Sequence, residues 1–146
     1  MSERARVLIL CTGNSARSQM AEGLLRHMAG DRIEVASAGV EPSHVRPQAI
    51  DVMREIGIDI SGQRSKSVDE FTGQEFDYVI TVCDNAKERC PVFPVKTQRI
   101  HWSFEDPAAA QGSEAARLAV FQRVRDEIAK RLREFCQTPR GRGWFQ

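Results

Sequence analysis

Cys11 ends the apolar run Val7-Leu8-Ile9-Leu10 and opens the stretch Cys11-Thr12-Gly13-Asn14-Ser15-Ala16-Arg17-Ser18. A thiol, a tight Gly/Asn/Ser turn and an arginine thus fall where a strand hands over to a helix. Peptide N–H groups of such a turn form an anion-binding nest, and the first turn of the helix adds its unpaired donors and the positive end of its dipole. Arg17 supplies a planar fork of donors for two oxygens of a tetrahedral anion. The same positive field is expected to keep Cys11 a thiolate, below the roughly 8.5 of an ordinary thiol. One loop, residues 12–18, would then bind an oxyanion and present the sulfur that attacks it. The Gly-Lys-Ser/Thr ending of a nucleotide-binding phosphate loop is absent.

The elements around this loop follow from periodicity. Ala5 to Leu10 reads as a buried parallel strand, and about Ser15 to Ala29 as a helix with Met20, Leu24 and Met28 on one face, closed by Gly30. Ile33 to Ala36 is a second strand. Pro47 opens a helix carrying Ile50, Met53 and Ile56, stopped by Gly57, and polar residues Ser61 to Ser67 lead to a short turn at Val68 to Phe71. Asp77 to Val82 is the third strand, ending on Cys83 as the first ends on Cys11, and Arg99 to Trp102 is the fourth. From Gly112 to Cys136, Phe121, Val124, Ile128, Leu132 and Phe135 recur at helical spacing. Strands alternating with helices predict an α/β fold: an open, mostly four-stranded parallel sheet with helices on both faces, and ligands beyond the carboxyl ends of the strands.

At 146 residues the chain is expected to form one catalytic domain over 1–136, with 137–146 as a loose tail rich in turn-formers. A formal charge of +1 and the lack of a basic stripe with aromatics argue against nucleic acid, and no apolar run is long enough for a membrane. A cytoplasmic monomer is expected, where four cysteines serve catalysis, redox chemistry or metal more often than structural disulfides. Zinc fits poorly, because Cys83 and Cys90 lack Cys-x-x-Cys spacing and only His101 is near them in sequence.

From about Val7 to Phe135 the chain resembles the low-molecular-weight tyrosine phosphatase superfamily, on the evidence of the Cys11 to Ser18 loop. The segment Cys83-Asp84-Asn85-Ala86-Lys87-Glu88-Arg89-Cys90-Pro91 brings it nearer to the thioredoxin-linked arsenate reductases of that superfamily. The resemblance implies a relay. Cys11 would attack arsenate, Cys83 would attack the Cys11–arsenic adduct to release arsenite, and Cys90 would take up Cys83 as a disulfide that thioredoxin, the external reductant, reopens. Arg17 would stabilise the charged oxygens, and Asp106 of Asp106-Pro107 would be the general acid. No tightly bound cofactor is implied. Some reductases of this kind hold potassium beside the loop through side chains that map to Asn14, Glu22, Ser37 and Lys66. A lysine cannot ligate a cation, so the Lys66 ammonium is expected to replace it, a solvated lysine being the alternative.

Two departures bear on the substrate. Ala108 follows Asp106-Pro107 where the phosphatases usually carry an aromatic, and Ala16 stands where many relatives have a second loop cysteine. The competing readings are a low-molecular-weight protein tyrosine phosphatase working through a Cys11 phosphoenzyme, and a non-enzymatic redox or metal sensor. Residual phosphatase turnover is expected even of a reductase. Were Cys83 to Cys90 helical, their Cα atoms would lie about 10 Å apart, beyond the ~7 Å reach of a disulfide, so oxidation should unwind this segment. Pro91 and Pro94 should keep the moving piece short. Cys136 is read as packing, and His101 beside Trp102 as structural.

Overall fold

Val7 to Cys11 is apolar without a break because the strand that carries it is sandwiched between two others and buried on both faces. The computed structural model describes residues 5–90, 93 and 96–137. Strands β1 (Ala5–Cys11), β2 (Ile33–Gly39), β3 (Tyr78–Thr81) and β4 (Gln98–His101) form one parallel sheet in the order β2-β1-β3-β4. Helices α1 (Arg17–Ala29), α2 (Pro47–Arg54), α3 (Asp84–Glu88) and α4 (Glu114–Gln137) complete the expected α/β architecture. Reversal of strand order at β1 brings the carboxyl ends of β1 and β3 side by side, the customary place for a ligand crevice.

Helix α1 packs against β1, β2 and α4, whereas α3 rests on β1 and β3. The predicted stripe of α4 is buried in full: Phe121, Val124, Ile128, Leu132 and Phe135. Phe135 meets Tyr78 and Trp102 edge-on at 5.4 and 5.9 Å between ring centres, so Trp102 is a core residue. Cys136 is buried beside them, and desolvation pushes its thiol up to about 11. This is the packing part expected of it.

Several boundaries differ from expectation. α1 starts at Arg17, because residues before it belong to the loop and Ala16 takes the non-helical φ of −130°. β2 continues to Gly39, since Ser37, Ala38 and Gly39 pair in register with Ile9, Leu10 and Cys11. In α2 the buried face is Ala49, Val52 and Met53; the helix stops at Arg54, so Ile56 falls beyond it and is 42% exposed. The short α3 begins just after Cys83 and ends two residues before Cys90. Pro91, Pro94 and the expected tail beyond Gln137 lie outside the described residues. No helix among those described is long and apolar enough to cross a membrane.

Candidate active site

β1 delivers Cys11 to the top of the sheet, and the next five residues form a loop whose carbonyls are all claimed from outside. Val40, Glu41, Ser43 and Arg46 donate their backbone N–H groups to the carbonyls of Cys11, Thr12, Gly13 and Ser15 at 3.2, 2.8, 3.1 and 2.9 Å. The Asn14 carbonyl accepts from Gln19 Nε2 at 3.0 Å. Every peptide here is trans, so each outward C=O sets the following N–H on the opposite, inner side. The N–H groups of residues 12–16 therefore line the inside of the loop, the anion nest expected from the sequence.

Asn14 is the pin of this arrangement. Its φ of 48° is the left-handed conformation that Asn tolerates better than most residues. Its side chain is fully buried, donating to Ser18 Oγ at 2.8 Å and Ser37 Oγ at 2.9 Å and accepting from the Lys66 backbone N–H at 3.0 Å. Ser37 Oγ donates to Glu22 Oε1 at 2.5 Å, and Lys66 Nζ stands 3.7 Å from the same oxygen while donating to the Arg64 carbonyl. Thus Asn14, Glu22, Ser37 and Lys66 do form one buried cluster behind the loop. Burial lowers the Lys66 ammonium's pKa, and the Glu22 charge works in the other direction.

Above the nest, Arg17 is nearly enclosed. It donates to the Phe104 carbonyl at 3.0 Å and lies 3.8 Å from Asp106 Oδ2. Asp106 caps the short turn Pro107–Ala109 by accepting from the Ala108 N–H at 3.0 Å, which fixes its carboxylate at the loop mouth. Arg17 and Asp106 meet there as predicted.

At the neighbouring strand end, Cys83 comes beside Cys11. Thr12 Oγ1 lies 3.2 Å from Cys83 Sγ, and the two thiols are near enough to shift each other's titration. The pair titrates as a unit. The Cys83 side chain and burial push Cys11 up, against Arg17, which pulls it down. Cys83 is drawn down to about 5 by the Cys11 thiol, the Thr12 hydroxyl and the Ala86 N–H of α3. These influences run against the expected Cys11 thiolate: the Cys83 side chain and burial raise its thiol, while Arg17 and the Thr12 N–H lower it.

Cys90 is not in this cluster. It is half-buried and opens on a separate cavity of about 310 Å³, shared with Val79, Thr81, Lys87, Arg99 and His101. Desolvation raises its thiol pKa. All four cysteines are reduced, with no disulfide among the described residues, and no group there of three or more His, Cys, Asp or Glu could hold a metal.

Three supporting residues escaped the sequence reading. Gln19, fully buried, bridges the Asn14 and Arg64 carbonyls. Ser65 Oγ donates to the Gly13 carbonyl at 2.9 Å. Gly39 lets β2 pass so close that a Cβ there would sit 2.6 Å from the Thr12 carbonyl oxygen and 2.9 Å from Asn14 N. Gly39→Ala is therefore expected to cost about 1–3 kcal/mol of stability by overpacking and to weaken inorganic phosphate binding in calorimetry. Parent-like phosphate affinity would show that the loop tolerates the shift.

A family model described as low molecular weight phosphotyrosine protein phosphatase matches residues 6–140. The arsenate reductase of Halalkalibacterium halodurans is 49% identical over 132 residues, spanning 90% of this chain and 95% of that protein. Among solved structures, an arsenate reductase in the phosphate-binding state superposes with a TM-score of 0.74 at 37% identity, over 91% of this chain and 97% of that one. A thioredoxin-dependent arsenate reductase of Corynebacterium glutamicum gives a TM-score of 0.73 at 30% identity, over 93% of this chain and 62% of that one. Matched along nearly its whole length, and built around the same kind of anion loop, this chain belongs to the low molecular weight phosphotyrosine protein phosphatase family.

Proposed function

We propose that this chain is an arsenate reductase that passes two electrons through three thiols, Cys11, Cys83 and Cys90, to be restored by thioredoxin. The observation that carries the reading is Cys83: a second thiol, held by Thr12 beside the nucleophile, has no task in a phosphatase. The relatives named arsenate reductase support the substrate, and the Corynebacterium protein supports thioredoxin as partner.

Each step has a place in the geometry. Arsenate displaces no protein group as it enters the nest, where the N–H groups of residues 12–16 and Arg17 balance its charge. Cys11 gives its proton to the neighbouring Cys83 and forms a sulfur–arsenic bond. One arsenic–oxygen bond breaks, and that oxygen leaves as water with a proton from Asp106. Cys83 then loses its proton to solvent, and the Thr12 hydroxyl and Ala86 N–H support its thiolate. Attack of Cys83 on the Cys11 sulfur makes a disulfide and breaks the sulfur–arsenic bond. The electron pair stays on arsenic, which leaves as arsenite. Cys90 finally attacks Cys83, frees Cys11 and leaves the Cys83–Cys90 disulfide to an external dithiol. Because α3 separates Cys83 from Cys90, this last step requires it to unwind.

Ala108 leaves the mouth without an aromatic wall, which suits a small inorganic anion, with residual aryl phosphate hydrolysis at the same loop. The decisive assay is arsenate-dependent NADPH oxidation with thioredoxin and its reductase. Cys83→Ser and Cys90→Ser are expected to abolish turnover while keeping inorganic phosphate binding; steady arsenate turnover in either variant would overturn the relay.

The Lys66 ammonium, enclosed beside Glu22, takes the place of a loop-supporting cation in this reading. Potassium should then stimulate arsenate turnover no more than sodium at equal ionic strength. Selective stimulation by potassium would contradict that role.

A further inference from the structure

Cys83 sits between two residues that end on the same imidazole. Thr81 Oγ1 lies 2.8 Å from His101 Nδ1, and Asp84 Oδ1 lies 2.9 Å from His101 Nε2. His101 is the last residue of β4 and pairs in register with Thr81, the last residue of β3. From the edge strand its ring reaches across and closes a bridge from the end of β3 to the first residue of α3, enclosing the turn that carries Cys83. An ionised carboxylate only accepts, so Nε2 carries the proton donated to Asp84, while Nδ1 meets the Thr81 hydroxyl, which also lies 3.5 Å from the Ile100 carbonyl.

We infer that His101 is a positioning residue for the second thiol step, holding the strand-to-helix turn so that the Cys83 sulfur faces Thr12 and Cys11. The inference rests on the three-thiol reading above. His101 does not act on the anion; it acts through the backbone on either side of Cys83.

Two physical arguments support the assignment. A five-residue helix is too short to sustain itself, so α3 keeps its first turn only where something outside holds it. That turn matters because it begins at Asp84, the residue after Cys83, and so sets the backbone from which the Cys83 side chain projects. The second argument concerns charge. Asp84 is adjacent to Cys83 in the chain, and its carboxylate opposes a thiolate there unless a donor takes part of its charge. His101 Nε2–H is that donor, and a protonated ring would serve more strongly still. The other charges facing this corner are Arg17, acting on Cys83 from the loop, and Lys87 and Arg99, which line the adjoining cavity with His101 and Cys90.

The full-length chain tests this with His101→Ala, His101→Gln, Asp84→Ala and the double variant with both alanines. Three quantities are followed: arsenite release in a single turnover, inorganic phosphate affinity, and the pH dependence of Cys83 alkylation by iodoacetamide read on its peptide. His101→Ala should slow arsenite release roughly ten- to a hundredfold, the usual penalty for a displaced reacting group. It should leave phosphate affinity unchanged and move Cys83 alkylation to higher pH. His101→Gln, which keeps a donor for Asp84, should recover most of the rate. Asp84 is exposed, so its variant keeps the test valid should His101→Ala not fold, and the double variant should be no slower than the slower single one. Parent-rate arsenite release in His101→Ala or Asp84→Ala, additive losses in the double variant, or an equal loss of phosphate affinity would each overturn the assignment. Failure of the relay itself reads differently: Cys83→Ser would then still reduce arsenate.

Discussion

Everything at this site depends on which way five peptide planes face. A loop that turns its N–H groups inward must find partners for its carbonyls outside, and here they come from β2's continuation, from α2's start and from Gln19. Those outer bonds hold the nest open before any anion arrives, so its donors are spared reorganisation when charge develops. The constraint also explains the odd company kept by the loop. Asn14 adopts a left-handed φ, Gly39 leaves room for the backbone, and Glu22, Ser37 and Lys66 fill the space behind, with Arg26 also paired to Glu22.

The second thiol follows from sheet order. Placing β3 beside β1 sets Cys83 next to Cys11, and proximity alone changes the chemistry of both. Two interacting thiols titrate as a pair, so a change at one sulfur alters the other. The third thiol is kept apart on its own cavity, and no disulfide joins it to the other two. A short helix held by external contacts is well suited to separate them, since little intrinsic stability opposes its unwinding.

The sequence revealed this site unevenly, and the reasons are physical. Cys11 to Ser18 was legible because a strand, a turn and a helix start follow one another in the chain, so spacing alone encodes the geometry. The stripe of α4 was legible because its apolar residues recur at helical spacing from Phe121 to Phe135 without interruption. By contrast, Ile56 looked like part of α2's face, but the helix ends at Arg54 and the residue turns outward. Gln19, Gly39 and Ser65 act across long sequence separations and leave no local pattern. The reading of Cys11 weighed Arg17 and the loop but not the neighbouring Cys83 side chain, which raises the Cys11 thiol. Asp106 and Lys66 came from resemblance; the structure sets Asp106 3.8 Å from Arg17 and Lys66 3.7 Å from Glu22.

The central claim is that Cys83 takes the Cys11 sulfur off arsenic. Mixing the Cys90→Ser variant with arsenate in the absence of any external reductant, then quenching and mapping disulfides by mass spectrometry, tests it directly. The account predicts one arsenite released per chain and a Cys11–Cys83 disulfide that accumulates in step with it. Release of arsenite without that disulfide, or no arsenite with Cys11 still carrying the oxyanion, would contradict it.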